Sequence, residues 1–346
     1  MEKQERPVGQ PLVTGRFAPS PTGRMHLGNV FSALLSWLSA KSKGGRWLLR
    51  IEDIDRGRSR QAFADMLMDD LEWLGLTWDG EPVYQSQRSD IYEQYFAELK
   101  QRGLTYPCYC TRADLLATQA PHESDGRVVY AGTCRPKTHP LPLPIGRGED
   151  TSPTENNDCM QGNSSPPYRE GQGEGLPGES LRPAATRLMV PDETVSFIDG
   201  HYGLHRVNMA EQVGDFIIRR KDGAWAYQLV VVIDDALMGV TEVVRGCDLL
   251  LSSPQQIWLA RLLGFEPPQF IHLPLLCNQQ GQRLSKRDQS LDLASLRERY
   301  TADEIIGRLA WHAGLLAKPE PMSPQDLLPL FDWEKIPMHN LIIQSE

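Results

Sequence analysis

The chain is short of cysteine, of long apolar runs and of surplus positive charge, and each shortage closes a class of function. Six cysteines in 346 residues are too sparse for the disulfide framework on which small secreted domains rely. No apolar stretch approaches the roughly 20 residues needed to span a bilayer. Residues 1–11 are polar and lack the apolar centre of a signal peptide, so a cytoplasmic protein is the expectation. Lys and Arg number 36 against 45 Asp and Glu, a net charge of −9. Bulk charge therefore cannot hold nucleic acid, and any RNA partner has to meet a local basic face. What remains is a chain long enough for one large core or two modest ones, the size of an enzyme.

The stretch 16–29, Arg-Phe-Ala-Pro-Ser-Pro-Thr-Gly-Arg-Met-His-Leu-Gly-Asn, organises the rest. A strand signal at Leu12 and Val13 leads in, and a helix leaves with Phe31, Leu34, Leu35 and Leu38 at helical spacing. Gly23 and Gly28 let backbone approach a ligand, while Pro19 and Pro21 hold the loop extended. Free N–H groups at a helix start, with His26 beside them, suit a phosphate. Alone, the segment reads equally well as turn chemistry. Next, 47–51 reads as a buried strand ending in Glu52-Asp53-Ile54-Asp55. Carboxylates there face the ligand crevice of an open α/β sheet, or else form a solvated acidic loop. Helices over 59–74 and 89–102, stopped by Gly75 and Gly103, complete an alternation that predicts a doubly wound α/β sheet.

From 106 the pattern breaks. Cys108, Cys110, Tyr130 and Cys134 stand in a segment with no core of its own, which a zinc ion would tie together. The Cys-x-Cys spacing is tight and tyrosine is an unusual ligand, so isolated buried thiols stay open as the alternative, and His122 is a competing ligand. Cys247 and Cys277 read as ordinary buried thiols, and Cys159 as a residue with no structural job. Residues 138–182 are rich in Pro, Gly, Ser and Glu, cannot offset their ordering entropy and read as a flexible insertion. Its acidic balance weighs against RNA contact. Strand signals resume over 184–190 and 195–198. Segments 216–219 and 224–227 flank Asp222-Gly223 and predict a hairpin. The apolar run 229–233 fits a helix or a buried strand. A strand over 241–244 ends at Arg245-Gly246, a helix follows over 253–263, and short helical patterns cover 291–299 and 303–311.

A basic loop, Arg283-Leu284-Ser285-Lys286-Arg287, follows the turn at 278–281. Pro-Ser-Pro-Thr-Gly with His26-Leu27-Gly28-Asn29, taken with this loop, resembles the HIGH and KMSKS motifs of the class I aminoacyl-tRNA synthetases. Tyr227-Gln228-Leu229, Asp234-Asp235 and Val243-Val244-Arg245-Gly246 are similar to the glutamate branch of that class. Asn29 stands where HIGH has its second His, and Arg283 where KMSKS has its first Lys; both keep a hydrogen-bond donor.

The resemblance covers 16–287 apart from the insertion. It implies ATP-dependent activation of L-glutamate by a Rossmann-like catalytic domain in two halves, 1–105 and 183–287. A segment at 106–137 would bind Zn²⁺ through Cys108, Cys110, Tyr130 and Cys134. The insertion at 138–182 and a short C-terminal helical region at 288–346, too small for an anticodon-binding domain, complete the organisation. His26 and Lys286 are implied as catalytic groups, meeting ATP together with Gly28 and Asn29, with Mg²⁺ carried on the phosphates. Arg16, Phe17, Ala18, Pro19, Ser20, Glu52, Tyr227 and Arg245 are implied as the glutamate pocket. An acidic amino acid needs a cation for each carboxylate and an anion for its ammonium. Arg16 and Arg245 offer forked guanidinium groups and Glu52 a carboxylate, although any one of them alone fits an ordinary ion pair. The missing anticodon reader points to the truncated branch that glutamylates the queuosine base in the anticodon of tRNA(Asp). A small discriminating synthetase charging a tRNA 3′ end and a non-catalytic zinc and nucleotide-binding module are the alternatives. A monomer is expected.

Overall fold

The computed structural model of the chain describes residues 12–55, 57–111, 113, 114, 129–137, 183–284 and 292–343. Lys286, His122, Cys159 and the expected insertion at 138–182 lie outside the described residues.

The first half runs β1 (Thr14–Phe17), α1 (Leu27–Ser42), β2 (Arg46–Ile51), α2 (Gln61–Trp73), β3 (Val83–Tyr84), α3 (Ser89–Gln101) and β4 (Thr105–Cys108). The second continues through β5 (Ala185–Leu188), β6 (Thr194–Asp199), β7 (Gly203–Asn208), β8 (Phe216–Arg219), α4 (Tyr227–Leu237), β9 (Glu242–Gly246), α5 (Ser253–Leu262), β10 (Gln269–Leu273) and β11 (Leu276–Cys277). After the basic loop come α6 (Leu293–Arg297), α7 (Ala302–His312) and β12 (Leu341–Ile342). No described helix is long and apolar enough to cross a membrane.

Strands β1, β2 and β3 pair in parallel, as do β9 and β10. Thr241, one residue ahead of β9, donates its N–H to the Thr14 carbonyl at 2.9 Å, and its hydroxyl accepts from Thr14 N–H at 2.9 Å. That contact sets the parallel strands in the order β3-β2-β1-β9-β10. Antiparallel pairing builds a second sheet, β4-β5-β8, and the hairpin β6-β7.

The period of two along each parallel strand divides its side chains between two cores. Trp47, Leu49 and Ile51 of β2, Val244 of β9, and Ile271 and Leu273 of β10 pack with α1, α2 and α7. Leu48, Val243 and Phe270, their neighbours in sequence, pack instead with α3, α4 and α5. Phe17 belongs to the first core, so the same parity turns Arg16, Arg50, Arg245 and His272 toward the face covered by α4 and α5. All four are buried near the carboxyl ends of their strands.

Two local expectations resolve or change. The run 229–233 is helix, and all five of its residues are buried. The predicted hairpin keeps its turn, with Arg220 N–H donating to the Ala224 carbonyl at 2.8 Å. Its returning arm, however, shrinks to a single bridge between Arg219 and Trp225. Tyr227 already opens α4, and β8 finds its ladder with β5 instead.

The C-terminal part shares the first core, through Leu293, Leu296, Ile305, Ile306 and Leu309. Gly307 lets it close: a Cβ there would lie 1.8 Å from the Glu320 carbonyl oxygen. Alanine inside a helix ordinarily gains stability over glycine. Here the sign reverses, because the obstacle is backbone. Gly307→Ala is expected to cost about 1–3 kcal/mol, or more if residues 320–322 are displaced, read as a lower midpoint in thermal unfolding. An unchanged or raised midpoint would show that this close approach does not exist in solution.

Candidate active site

The loop between β1 and α1 is tied to the end of β2 and the start of α2. Glu52 N–H donates to the Pro19 carbonyl at 2.9 Å and Arg60 N–H to the Pro21 carbonyl at 3.1 Å. His26 occupies the N-cap position of α1 in extended conformation. The Asn29 side-chain oxygen accepts from His26 N–H at 3.2 Å, so the departure from the second histidine serves as a helix cap. A Cβ at Gly28 would meet the His26 ring at 3.1 Å, so a larger residue there would push the ring aside by a few tenths of an ångström.

These residues open on a cavity of about 430 Å³ at the carboxyl ends of the parallel strands. Arg16, Phe17, Ala18, Pro19, Ser20, Glu52, Tyr227 and Arg245 line it together with His26, Gly28 and Asn29. Every residue expected for glutamate and, among the described residues, every one expected for ATP therefore borders one space. Arg283 and Leu284 line the same cavity, and Arg283 pairs with Asp248 at its wall. Leu284 is buried and bonds back to the Leu276 carbonyl at 2.9 Å. On the other side of the basic loop, Leu293 N–H donates to the Met25 carbonyl at 2.9 Å, and Asp292 bridges to His26. The two ends of the loop that carries Lys286 are thus fixed at the cavity and at the cap of α1.

Beneath the cavity lies a buried charge network that sequence reading missed. Arg50 is fully buried and donates to Asp235 at 2.6 Å and to Glu52 at 3.4 Å, with Asp234 3.8 Å away. Burial opposes its charge, but Asp235, Glu52 and Asp234 outweigh it and hold the guanidinium firmly protonated. Asp235 also accepts from Arg16 Nε at 3.4 Å. Burial would raise its carboxyl, yet the Arg50 and Arg16 charges keep it below the usual range. Burial pushes Glu52 upward, against the pull of Arg50 and Arg16. Asp234 is held by Arg88 at 2.7 Å and by Gln85 and Tyr92 at 2.8 Å. A charged residue inside the apolar strand Trp47-Leu48-Leu49-Arg50-Ile51 was the available signal.

Arg245 is fixed separately. Its Nη1 donates to Gln256 at 2.7 Å, its Nη2 to Ser253 Oγ at 2.7 Å and its Nε to His272 Nε2 at 3.1 Å. Its guanidinium lies over Phe270, 4.8 Å from the ring centre.

At the other end of β4, the sulfurs of Cys108, Cys110 and Cys134 lie within 4.8 Å of one another. The Tyr130 oxygen is 3.6 Å from the Cys108 sulfur and 3.9 Å from that of Cys110. Tetrahedral zinc with Zn–S near 2.3 Å sets its sulfurs about 3.8 Å apart, so the four donors fit one ion. Burial would raise the Cys108 thiol, but hydrogen bonds from Arg187 and Tyr130 outweigh it and bring it down to about 7, toward the thiolate a metal takes. Burial moves Tyr130 upward, and the Arg187 guanidinium lies 3.7 Å from its ring centre. Cys277 is buried as expected, whereas Cys247 is only partly so.

Comparison with known proteins accords with this architecture. The profile of the class I tRNA synthetase (E and Q) catalytic domain matches residues 12–139 and 177–306. A glutamyl-Q tRNA(Asp) synthetase of Symbiobacterium thermophilum is 43% identical over 97% of this chain and 97% of its own length. One from Nitratidesulfovibrio vulgaris is 40% identical with the same coverage. Among solved structures, a glutamate tRNA ligase of Elizabethkingia meningosepticum in complex with its amino acid superposes with a TM-score of 0.70 at 27% identity. The match covers 96% of this chain and 67% of that one.

Because Arg50 has three carboxylate neighbours under one strand, its replacement tests whether the network holds the sheet to α4. Arg50→Met leaves buried carboxylates uncompensated and should lower stability to urea by about 3–5 kcal/mol. Arg58→Met, which removes a surface pair with Asp55, should be close to neutral. Equal effects would mean that the buried pairs contribute no more than the exposed one.

Proposed function

Because the chain belongs to the class I tRNA synthetases of the glutamate and glutamine type, a family of ligases, we propose that it activates L-glutamate with ATP, without tRNA. It then passes the glutamyl group to the queuosine base in the anticodon of tRNA(Asp). The observation that carries this reading is the single cavity bordered by Arg16, Arg245, Glu52 and Tyr227 on one side and by His26, Gly28 and Asn29 on the other. Charge supports it. Arg16, Arg50, Arg88 and Arg245 stand against Glu52, Asp234 and Asp235, which leaves one positive charge in excess. Glutamate, with two carboxylates and one ammonium, brings one negative charge to balance it. The order β3-β2-β1-β9-β10, with helices on both faces, supports a Rossmann-like catalytic domain. Relatives of nearly the same length, named glutamyl-Q tRNA(Asp) synthetases, favour the queuosine base over a tRNA 3′ end as acceptor.

In the first step a glutamate α-carboxylate oxygen attacks the α-phosphorus, the bond to the bridging oxygen breaks, and pyrophosphate leaves. The nucleophile is already anionic, so the protein moves no proton, and its task is positioning and charge stabilisation. Arg16 and Arg245 hold the carboxylates, and Glu52 holds the ammonium. His26 and the N–H groups of α1 meet the phosphates from one side, and Lys286 from the other once the basic loop closes. Mg²⁺ travels with ATP on its phosphate oxygens. In the second step a hydroxyl of the base's cyclopentenediol attacks the activated carbonyl, the bond to the phosphate oxygen breaks, AMP leaves, and the hydroxyl proton passes to the departing phosphate.

Pyrophosphate exchange with glutamate and ATP alone tests the reading. Exchange that requires tRNA, or that runs equally well with aspartate, would overturn it. Lys286→Ala should lower the exchange rate about a hundredfold, on the order of 3 kcal/mol, with little change in glutamate affinity. Its ammonium meets charge that grows only as pyrophosphate leaves. Arg245→Ala should instead weaken glutamate binding, because its partner is charged from the outset. Identical changes in kcat and KM for both variants would mean that their roles are wrongly divided.

The same reading places a structural Zn²⁺ on Cys108, Cys110, Tyr130 and Cys134. Metal analysis should find about one zinc per chain. Cys110→Ser should lose it while far-ultraviolet circular dichroism stays unchanged, because neither main core contains Cys110. Retained zinc in that variant would place the ion elsewhere.

A further inference from the structure

Behind Arg245 stand two buried residues with no place in the steps above. His272 is fully buried and Asp199 is 2% exposed. His272 Nδ1 lies 2.6 Å from Asp199 Oδ2, and its Nε2 lies 3.1 Å from Arg245 Nε. An arginine Nε–H only donates, so Nε2 has to be the bare, accepting nitrogen and Nδ1 has to carry the proton. The Asp199 carboxylate enforces that arrangement, because it can only accept from Nδ1. We infer that Asp199 and His272 are positioning residues for glutamate recognition, a relay that sets the orientation of the Arg245 guanidinium by fixing the histidine tautomer. The inference rests on Arg245 being a glutamate ligand.

The remaining contacts make the relay unusually testable. His272 N–H lies 3.2 Å from both Asp199 carboxylate oxygens, and Oδ1 also serves the hairpin turn, where it accepts from His201 N–H at 3.0 Å and Tyr202 N–H at 2.8 Å. Asp199→Asn must keep its one carbonyl oxygen on those two amides, which forces its NH₂ group toward His272 Nδ1. The imidazole then has to accept at Nδ1 and carry its proton on Nε2, where it confronts Arg245 Nε–H, donor against donor. Ser253 Oγ, 3.4 Å from Nε2, already accepts from Arg245 and can take the displaced Nε2 proton on its second lone pair, yet Arg245 Nε–H still loses its acceptor. Burial, helped by the Arg245 charge, keeps His272 below its ordinary pKa despite Asp199, so the neutral ring is the working form. The relay also ties the pocket to a surface element: Asp199 ends β6, whose exposed Ile198 pairs with the exposed Leu204 of β7.

The experiment combines pyrophosphate-exchange kinetics with nitrogen NMR of the histidines in the full chain. The wild type should show His272 as the Nδ1–H tautomer. Asp199→Asn should shift it to Nε2–H and raise the KM for glutamate on the order of tenfold, with kcat and the KM for ATP little changed. His272→Gln, whose side-chain oxygen can still accept from Arg245, should lie much closer to wild type than His272→Leu. A folded Asp199→Asn protein with the wild-type KM, or equal losses in the Gln and Leu variants, overturns the relay. If Asp199→Asn does not fold, the Gln and Leu comparison decides. A wild type that exchanges no pyrophosphate with glutamate defeats the activity itself; the tautomer then judges the relay alone, and an Nε2–H signal overturns it.

Discussion

A guanidinium with no access to water is the constraint around which this site is arranged. Arg50 is fully buried, and leaving such a charge unpaired would cost several kcal/mol. Its compensation comes from α4, which presents Asp234 and Asp235, and from Glu52, just beyond the end of its own strand. Pairing α4 with the sheet in this way fixes more than Arg50. Asp235 reaches Arg16 from the same position, and Tyr227, at the start of the same helix, comes to the cavity wall. The salt bridge that keeps the sheet and helix in register therefore also sets the pocket. A neutral residue at position 50 would pack as well in an apolar core, but it would leave Glu52 and Asp235 without the charge that orients them.

Strand parity explains how four separated stretches of sequence deliver side chains to one face. In β1, β2, β9 and β10 the residues just before the apolar anchors Phe17, Ile51 and Leu273, and just after Val244, are Arg16, Arg50, His272 and Arg245. Each anchor belongs to the core on the α1 side. The polar partner must then point to the other face, beside α4 and α5. Slipping any of these strands by one residue would put a charge into the α1 core and an apolar group at the pocket. Register is thus enforced by the same residues that line the cavity or lie directly behind it.

Legibility in the sequence followed contiguity. The segment 16–29 carries its geometry within itself, as two prolines, two glycines and a helix start, and its residues 16–20, 26, 28 and 29 border the cavity together. Glu52 was readable because it ends an apolar strand. Arg50 and His272 were not singled out, although each interrupts an apolar run; their partners, Asp235 and Asp199, lie 185 and 73 residues away, and no local pattern encodes such a distance. The hairpin at Asp222-Gly223 failed for a related reason. Its turn is local and formed as expected, but whether the returning arm continues as strand depended on α4 starting at Tyr227 and on β5 already occupying β8.

The segment after the basic loop has a part in the site that its sequence did not suggest. Leu341–Ile342 pairs in parallel with Leu276–Cys277, and Leu276 in turn holds Leu284 through a backbone hydrogen bond. At the other end, Asp292 caps α6 by accepting from Ser295 N–H at 2.8 Å and bridges to His26 at the cap of α1. Residues beyond 288 therefore frame both attachments of the loop that carries Lys286. Seven residues lie between Leu284 and Asp292, and the nearer attachment already touches the cavity. The C-terminal segment thus anchors both ends of the loop, one through the pairing with Leu276 and Cys277 and the other through Asp292 and Leu293.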